Sequence, residues 1–387
     1  MRTPLAWKNL SCDLRRLLLG SLGVGFAVVL MFMQRGFQNA LLDSPVQMFR
    51  LVDGDLIATS KAWYTLMSEK KFSDNLLLRA SSQPQVEWVE PIYFEKAVTR
   101  LRVKGEKARA IRVLAFSDNP KVFKEREVAD KVQLLRQPMS AIVDNLSKPT
   151  YGFNFDDPAA LSNQYVELMD RKVTVVDSLK IGIDFANDGN MLVSTNTFAR
   201  CFPYRGNGEP LSQVDFALIK LTSPDQAEQI AARLTALDPT HWKVYTRDQF
   251  LKKEVRFWQK QTPIGLIFLV GVIMGFAVGI IVCYQILYNN IHDSMSELAT
   301  LKAMGYRDSY FFWFVIQQAF FLSVLGFIPA TIVSFGLFSW LESTAGLPMD
   351  MSAWRIAMIY LPTLAMCVIS GVLAVRKLWQ ADPASLF

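Results

Sequence analysis

The chain has few of the residues on which enzymes commonly rely. Of 387 residues, two are histidines (His241 and His292) and four are cysteines. The sequence contains no Gly-x-x-x-x-Gly-Lys-Ser/Thr, no Gly-x-Ser-x-Gly and no His-Glu-x-x-His. These are the patterns of phosphate-binding loops, serine hydrolases and zinc proteases, respectively. We therefore expect no catalytic residue, no metal site and no cofactor bound by this chain itself.

Charge is absent from four long stretches. Residues 17–33, 263–287, 310–341 and 356–375 contain no Asp, Glu, Lys or Arg, and each approaches or exceeds the roughly 20 residues that cross a bilayer. The first stretch could also be a signal peptide, but the residues after Met33 lack a small-x-small cleavage pattern. With 51% hydrophobic residues and a mean hydropathy of +0.20, the sequence predicts a membrane protein.

The charges near these stretches predict the orientation. Basic residues cluster before the first stretch, between the second and third, and after the fourth, at Arg2, Lys8, Arg15, Arg16, Lys302, Arg307, Arg376 and Lys377. Short segments rich in Lys and Arg stay cytoplasmic, so both termini are expected in the cytoplasm. The net charge of +6 is spread without a stripe, which favours membrane lipid over nucleic acid as the partner.

The predicted fold class is an α-helical membrane protein with four transmembrane helices, one plus three, and a large mixed α/β extracytoplasmic domain of two subdomains. The expected organisation is a cytoplasmic amphipathic N-terminal segment (1–16), a first span (17–37), the α/β domain (38–262, with an inserted subdomain at about 121–210), a second span (263–288), a cytoplasmic coupling helix (289–309), a third span (310–341), a short outer loop (342–355), a fourth span (356–375) and a cytoplasmic tail (376–387).

Polarity patterns within the outer domain predict strands and helices. Strands are expected at residues 55–60, 86–94, 97–103, 110–116, 172–176 and 191–195, which alternate in polarity or are rich in Val, Ile and aromatics. A strand at 214–221, a helix from Pro224 to about 237 and a strand at 242–245 predict a βαβ-like unit. Helices at 34–49 and 247–261 are expected to continue into the spans.

One polar segment of the outer domain is spaced like a calcium loop. It contains Asp184, Asn187, Asp188 and Asn190, but Ala186 stands where such a loop supplies an oxygen and the distal glutamate is absent. We interpret it as a polar turn.

The cysteines predict no disulfide. Cys283 and Cys367 fall within uncharged stretches, Cys12 is on the predicted cytoplasmic side, and Cys201 is alone in the outer domain. No pair shares an aqueous compartment, as a structural disulfide would require.

Glycine is regularly spaced in the second span. Gly271, Gly275 and Gly279 recur every four residues, which places three bare patches on one helix face and permits close approach of another helix. The partner could be a second copy of the chain or another span of the same chain. We favour self-association from the spacing.

The segment between the second and third spans predicts a short docking helix. Met295, Leu298, Leu301 and Met304 recur every three residues, Glu297 and Lys302 are polar, and Gly305 is placed as the C-terminal cap. The alternative is a helix lying on the lipid interface, which its acidic start disfavours. We expect a protein partner on this helix.

Two motifs resemble a known family of transporters. The run Glu297-Leu-Ala-Thr-Leu-Lys-Ala-Met-Gly-Tyr-Arg-Asp308 is similar to the motif between the second and third spans of FtsX/MacB-type ABC permeases, and the ending Ala381-Asp-Pro-Ala-Ser-Leu386 resembles the tail of the same group. The opening Pro4-Leu-Ala-Trp-Lys-Asn-Leu10 is most similar to DevC permeases of cyanobacteria.

This resemblance implies a subunit that works with separate partners. It would lie in the bacterial inner membrane with its large domain in the periplasm, form a homodimer and bind a cytoplasmic ABC ATPase dimer that carries ATP and Mg. It would transmit motion to the periplasmic domain (mechanotransmission). A membrane-fusion adaptor, and through it an outer-membrane channel, would complete a tripartite exporter of a lipid, glycolipid or similar amphiphile.

The resemblance also assigns roles to residues and leaves alternatives. It implies an ATPase-coupling surface at Glu297, Leu298, Leu301, Lys302, Met304 and Gly305. The glycine face would serve dimerisation, which is our own inference. His292-Asp293-Ser294 replaces a basic residue of many relatives, so the contacts to the ATPase differ there. A non-transporting signal transducer like FtsX and a lipoprotein-release permease share the layout.

Overall fold

The chain forms two compact units. The computed structural model describes residues 14–66, 68–117, 119–184, 187–295, 300–301, 303–345, 349 and 351–380. The membrane unit comprises Met1–Asn39, Pro263–Glu342 and Met349–Phe387, and the α/β unit comprises Ala40–Thr262 and Ser343–Pro348. The N-terminal segment before Leu14 and the Asp-Pro-containing tail lie outside the described residues.

The helices and strands have the following bounds. The helices are α1 (Leu14–Asp43), α2 (Gln47–Leu51), α3 (Asn75–Ser81), α4 (Arg126–Val132), α5 (Pro158–Leu161), α6 (Thr195–Cys201), α7 (Ala227–Leu237), α8 (Arg247–Lys260), α9 (Pro263–Asp293), α10 (Asp308–Ala345) and α11 (Ala353–Gln380). The strands are β1 (Leu56–Ser60), β2 (Phe72–Ser73), β3 (Val86–Glu95), β4 (Leu101–Val103), β5 (Arg112–Phe116), β6 (Ser140–Asp144), β7 (Tyr165–Leu168), β8 (Arg171–Leu179), β9 (Asn190–Ser194), β10 (Gln213–Val214), β11 (Phe216–Leu221) and β12 (Trp242–Thr246).

Four helices of the membrane unit are long and apolar enough to cross a bilayer. The candidate spans are Leu17–Asp43, Gly265–Asp293, Ser309–Glu342 and Ala353–Arg376. They lie in α1, α9, α10 and α11, and confirm the predicted arrangement of one span before the α/β region and three after it. The helices extend beyond the uncharged stretches, because charged residues next to a span can also be helical. The absence of charge therefore located the spans better than it located the helix ends.

The α/β unit is built on one ten-stranded mixed sheet. Its strand order is β12-β1-β11-β3-β5-β9-β6-β8-β7-β4, and β2 pairs separately with β10. Residues alternate between its two faces: Leu56 and Ala58 face one apolar core, whereas Ile57 between them faces the other. Because both faces are covered, strands such as β1, β5 and β6 are buried at every position.

The βαβ-like unit at the end of the α/β region is present, with one strand inserted into it. β11 and β12 both pair antiparallel with β1, so they run parallel to each other on either side of it. α7 connects them. This is the arrangement of a split βαβ unit. Sequence pattern predicted the three elements but not the strand between them, since β1 lies far away in the chain.

The segment expected as an inserted subdomain shares this sheet. Residues 121–210 contribute β6, β7, β8 and β9. β9 pairs parallel with β5, and β7 pairs antiparallel with β4, so strands inside the segment continue the ladder formed outside it. Turn-rich sequence marked the segment but could not show where its strands pair.

Most of the individual strand predictions agree with the structure, with ends shifted by one to three residues. The prediction at 97–103 is wrong in its first half, because residues 97 and 98 form a turn and only Leu101–Val103 pairs with β7. β2, β6 and β7 were not predicted. β7 is a short strand near the edge of the sheet, and its exposed and buried residues alternate over only four positions.

Candidate membrane coupling site

The glycine face of α9 packs against α1 of the same chain. A Cβ atom added at Gly271 would lie 2.5 Å from Gln34 Cδ, at Gly275 3.4 Å from Met31 Cγ, and at Gly279 3.2 Å from Ala27 Cβ. Each step along α9 is matched by a step of three or four residues backward along α1. The two helices are therefore packed antiparallel along one face.

This packing supplies an intrachain partner for the glycine face. The side chains that fill the bare patches at Gly271, Gly275 and Gly279 come from α1 and, at Gly279, also from Met366 of α11. Small residues on one helix allow its backbone to approach another helix closely. The intrachain alternative accounts for the glycine spacing, and self-association through these residues stays a prediction.

A second close approach joins α1 to α10. A Cβ atom added at Gly25 would lie 3.3 Å from the carbonyl oxygen of Gly326, and one added at Gly326 would lie 3.3 Å from the amide nitrogen of Gly25. A side chain on either helix would crowd backbone atoms of the other, so the two glycines permit this close approach. Sequence analysis did not detect this contact, since neither glycine belongs to a regular repeat. The rings of Phe32 and Phe327 continue the contact, with centroids 5.8 Å apart.

Polar and thiol contacts join α9 to α11. Ser370 donates its hydroxyl to the carbonyl of Ile280 at 2.8 Å, which is one of the hydrogen bonds that hold helices together in lipid. The Cys283 and Cys367 sulfurs lie 3.4 Å apart, and both residues are free thiols. The sequence did not predict that these two cysteines lie side by side.

These contacts fix the relative directions of the four helices. Along α9 and α11, the residue numbers of the contacting residues increase together, so these two helices run parallel. The same holds for α1 and α10. α1 runs opposite to α9. The start of α1, the end of α9, the start of α10 and the end of α11 consequently lie at one end of the membrane unit, which is the end that carries the predicted coupling segment.

Half of the predicted coupling residues can be placed. Leu301 is half-buried and Met304 is 64% exposed. Gly305 has a φ of 92°, in the left-handed region, and the amide of Tyr306 donates to the carbonyl of Leu301 at 3.3 Å. This six-to-one hydrogen bond after a left-handed glycine ends the helix as the sequence predicts. Glu297, Leu298 and Lys302 lie outside the described residues, and the coupling role of all six stays a prediction.

Aromatic side chains precede and follow the described part of this segment in the chain. The rings of Tyr306 and Tyr310 lie 4.8 Å apart, and at the end of α9 the ring of Tyr288 lies 6.3 Å from that of His292. Tyr306 is 46% exposed and Met304 more so. Exposed Met and Tyr side chains are adaptable and rich in contact area, as protein-binding surfaces require.

The buried charges of the α/β unit connect its strands. Arg205 donates to Glu95 Oε2 at 3.1 Å and to Asp215 Oδ2 at 2.6 Å. Burial raises the pKa of Asp215 to about 6, and the guanidinium of Arg205 opposes the rise. Because the two carboxylates belong to β3 and to the segment before β11, this cluster joins two neighbouring strands at a loop.

A second buried carboxylate organises the ends of β6, β8 and β9. Asp144 is fully buried and accepts from the amide of Gly182 at 2.9 Å and from Asn190 Nδ2 at 2.6 Å. Burial raises its pKa, which these hydrogen bonds oppose. In the segment predicted as a polar turn, Asp184 accepts from Arg112 at 2.5 Å. These networks account for the buried acids as structural groups, and the described residues contain no cluster of His, Cys, Asp and Glu able to hold a metal ion.

Comparison with known proteins finds a family model that matches the C-terminal part of the chain. Residues 265–383 match the family model FtsX-like permease C-terminal. This match covers the last three candidate spans and the segment that carries the predicted coupling residues. No curated protein sequence matches the chain.

Solved structures match the chain at low identity. The extracellular domain of the noncanonic ABC-type transporter YknZ from Gram-positive bacteria is 13% identical, with 50% of this chain and 99% of that chain covered and a TM-score of 0.34. The periplasmic region of MacB from Actinobacillus actinomycetemcomitans is 12% identical, with 55% of this chain and 96% of that chain covered and a TM-score of 0.35.

Proposed function

We propose that this chain is the permease subunit of an ABC exporter. The observation that carries the proposal is the match of residues 265–383 to the FtsX-like permease C-terminal family. The arrangement of one candidate span before a large α/β unit and three after it supports it. The chain lacks a nucleotide-binding loop, so a separate ATPase dimer supplies ATP hydrolysis, with ATP and Mg bound there.

The coupling segment between α9 and α10 is the proposed docking surface for that ATPase. Leu301 and Met304 present apolar side chains on a short helix that Gly305 ends sharply. A compact helix with exposed apolar residues fits into a groove of a partner protein. Because α9 is rigidly packed on α1 and α11, displacement of this segment moves the whole group of helices.

The α/β unit is the proposed receiver of the motion. α1 extends as one helix from Leu14 to Asp43, and α8 ends only two residues before α9 begins. Helices transmit displacement better than flexible loops do, because their backbone hydrogen bonds hold their length. We place the α/β unit in the periplasm, where it works with a membrane-fusion adaptor and an outer-membrane channel on a lipid, glycolipid or similar amphiphile. Two copies of the chain act as a homodimer, with both termini in the cytoplasm.

Loss of ATPase binding tests the docking surface. The double variant L298D/L301D places charge on the apolar face and should abolish co-purification of the ATPase, while membrane insertion and the thermal melting profile stay as in the wild type. N289D, an exposed polar position at the end of α9, is the matched control and should retain the ATPase. Unchanged recovery with L298D/L301D would contradict the proposed surface.

ATPase activity tests the exporter itself. The candidate ATPase is reconstituted in lipid with this chain, with and without a periplasmic adaptor. Stimulation that requires both supports a tripartite exporter. Stimulation by this chain alone, with no adaptor bound, would instead favour a signal transducer or a lipoprotein-release permease.

A further inference from the structure

A cavity of about 220 Å³ opens in the membrane unit, at the end opposite the coupling segment. Its polar lining comes from Arg35 and Asn39 on α1 and from Arg355 on α11. Arg35 lies near the last residue that α1 contributes to this unit, and Arg355 is the third residue of α11. The cavity therefore lies where the spans meet the aqueous phase.

The remaining walls of the cavity are apolar. Phe32, Phe338 and Met358 line it from three helices, and Trp354 lies at its rim with 70% of its surface exposed. The ring of Phe338 can lie against α1 because residue 36 is glycine: a Cβ there would be 2.4 Å from the ring. Tryptophan prefers the headgroup region of a bilayer. The cavity thus combines the two arginines with an apolar wall.

The charge of the lining has one sign. Two guanidinium groups and no carboxylate are among the described residues that line the cavity. Arg35 Nη1 also donates to Gln38 Oε1 at 2.8 Å, which holds its side chain along α1. The guanidinium group of an arginine can donate two parallel hydrogen bonds to phosphate oxygens.

We propose that this cavity binds the phosphate headgroup of an anionic membrane lipid. A volume of about 220 Å³ is below the roughly 300–1,000 Å³ of pockets that enclose a drug-sized ligand, so it holds a headgroup while the acyl chains remain in the bilayer. The exposed Met358 extends the apolar wall toward that region. Binding is a property of this chain alone; a role for the site in selecting the exported amphiphile rests on the proposed function.

Lipid binding to the purified full-length chain tests this site. The protein is placed in detergent, and binding of a fluorescent phosphatidylglycerol is compared with that of the matching phosphatidylcholine. The double variant R35Q/R355Q should weaken phosphatidylglycerol binding about 30-fold, since each basic residue near a membrane surface contributes about fivefold. Phosphatidylcholine binding should change little, and R35K/R355K should restore part of the preference.

Two controls separate this site from other sources of the same effect. R307Q/R376Q removes two exposed arginines from the opposite end of the membrane unit and should leave phosphatidylglycerol binding intact; an equal loss would show general attraction to basic residues and overturn the proposal. Soluble glycerol phosphate should compete poorly, because it lacks acyl chains. Competition as strong as that of the lipid would identify a free-anion site and also overturn it.

Cross-linking keeps the test independent of the folding of the variants. Phosphatidylglycerol with a photoreactive group near the headgroup should label the wild-type peptide that contains Trp354 and Met358, and mass spectrometry would locate the label. Labelling spread evenly over all four spans would contradict the site. None of these measurements contains an ATPase, so their failure would leave the coupling proposal untouched, and failed ATPase stimulation would leave lipid binding untouched.

Discussion

Substitution of Gly279 by leucine probes the packing of α9 on its neighbours. The first side-chain atom would lie 2.3 Å from Met366 Sδ and 3.2 Å from Ala27 Cβ, whereas carbon atoms in contact prefer about 3.5–4.0 Å. A methyl group alone could be accommodated by movement of the flexible Met366 side chain. Leucine adds three more carbons between two helices, so we use leucine.

The expected cost follows from this geometry. Extra methylene groups in a packed core cost typically about 1–3 kcal/mol, and G279L belongs at the upper end because two helices crowd the site. Gly336 provides the matched control: it lies in another span, and a Cβ there would meet nothing within 4 Å. G336L should gain up to about 1 kcal/mol, since glycine is the poorer helix former.

Thermal unfolding in detergent distinguishes the intrachain partner from a second copy. The two variants and the wild type are heated, and the surviving monodisperse protein is measured by size-exclusion chromatography. G279L should melt below the wild type, and G336L should not. If G279L instead melted like the wild type while its oligomer fell apart, the glycine face would contact a second copy, and the antiparallel packing of α1 on α9 would be refuted.

Three further perturbations test other contacts. Oxidation with copper phenanthroline should join Cys283 to Cys367, with loss of two hydrogens by intact mass, because their sulfurs lie 3.4 Å apart; an unchanged mass would contradict the packing of α9 on α11. The pKa of Asp215 is raised to about 6, so the folded state holds its proton longer than the unfolded state, and this group should lower the free energy of unfolding by about 1 kcal/mol between pH 5 and pH 7. D215N should flatten that slope in hydrogen exchange of β11, and an unaltered slope would assign it to another group. N190A removes a donor from buried Asp144 and should cost about 1–3 kcal/mol in chemical denaturation; no loss would show that water replaces the amide.

Sequence patterns were most informative where one periodicity dominates. The absence of charge located all four candidate spans. Gly305 was predicted as a helix end from its position after the apolar repeat, and its φ of 92° is one that glycine adopts without strain. The strands β3, β5 and β9 were predicted from alternating polarity or from a high content of Val, Ile and aromatic residues. Each of these features is local, so residues adjacent in the chain carry all of the information.

Features that depend on distant residues were not predictable. The spacing of Gly271 and its neighbours described one face of α9, but the side chains of α1 that cover it carry no matching repeat. Gly25 and Gly326 approach each other as single residues, and Arg35 and Arg355 line one cavity only after the helices pack. The strand order of the α/β unit is likewise set by pairing between strands that are far apart in the chain. The residue pattern of one strand does not show which strand it pairs with.

The pairing of β1 with β12 determines how the α/β unit responds to force. Leu56 lies opposite Thr246, and the amide of Arg247, the first residue of α8, donates to the carbonyl of Asp55. The segments before β1 and after β12 are thus tethered to the same end of one antiparallel ladder. Spreading the tethers apart would unzip this ladder one hydrogen bond at a time, whereas moving both in the same direction leaves every bond between them unloaded. If the proposed ATPase-driven motion reaches the α/β unit through these two segments, the hydrogen bonds between β1 and β12 survive it only when both segments move together.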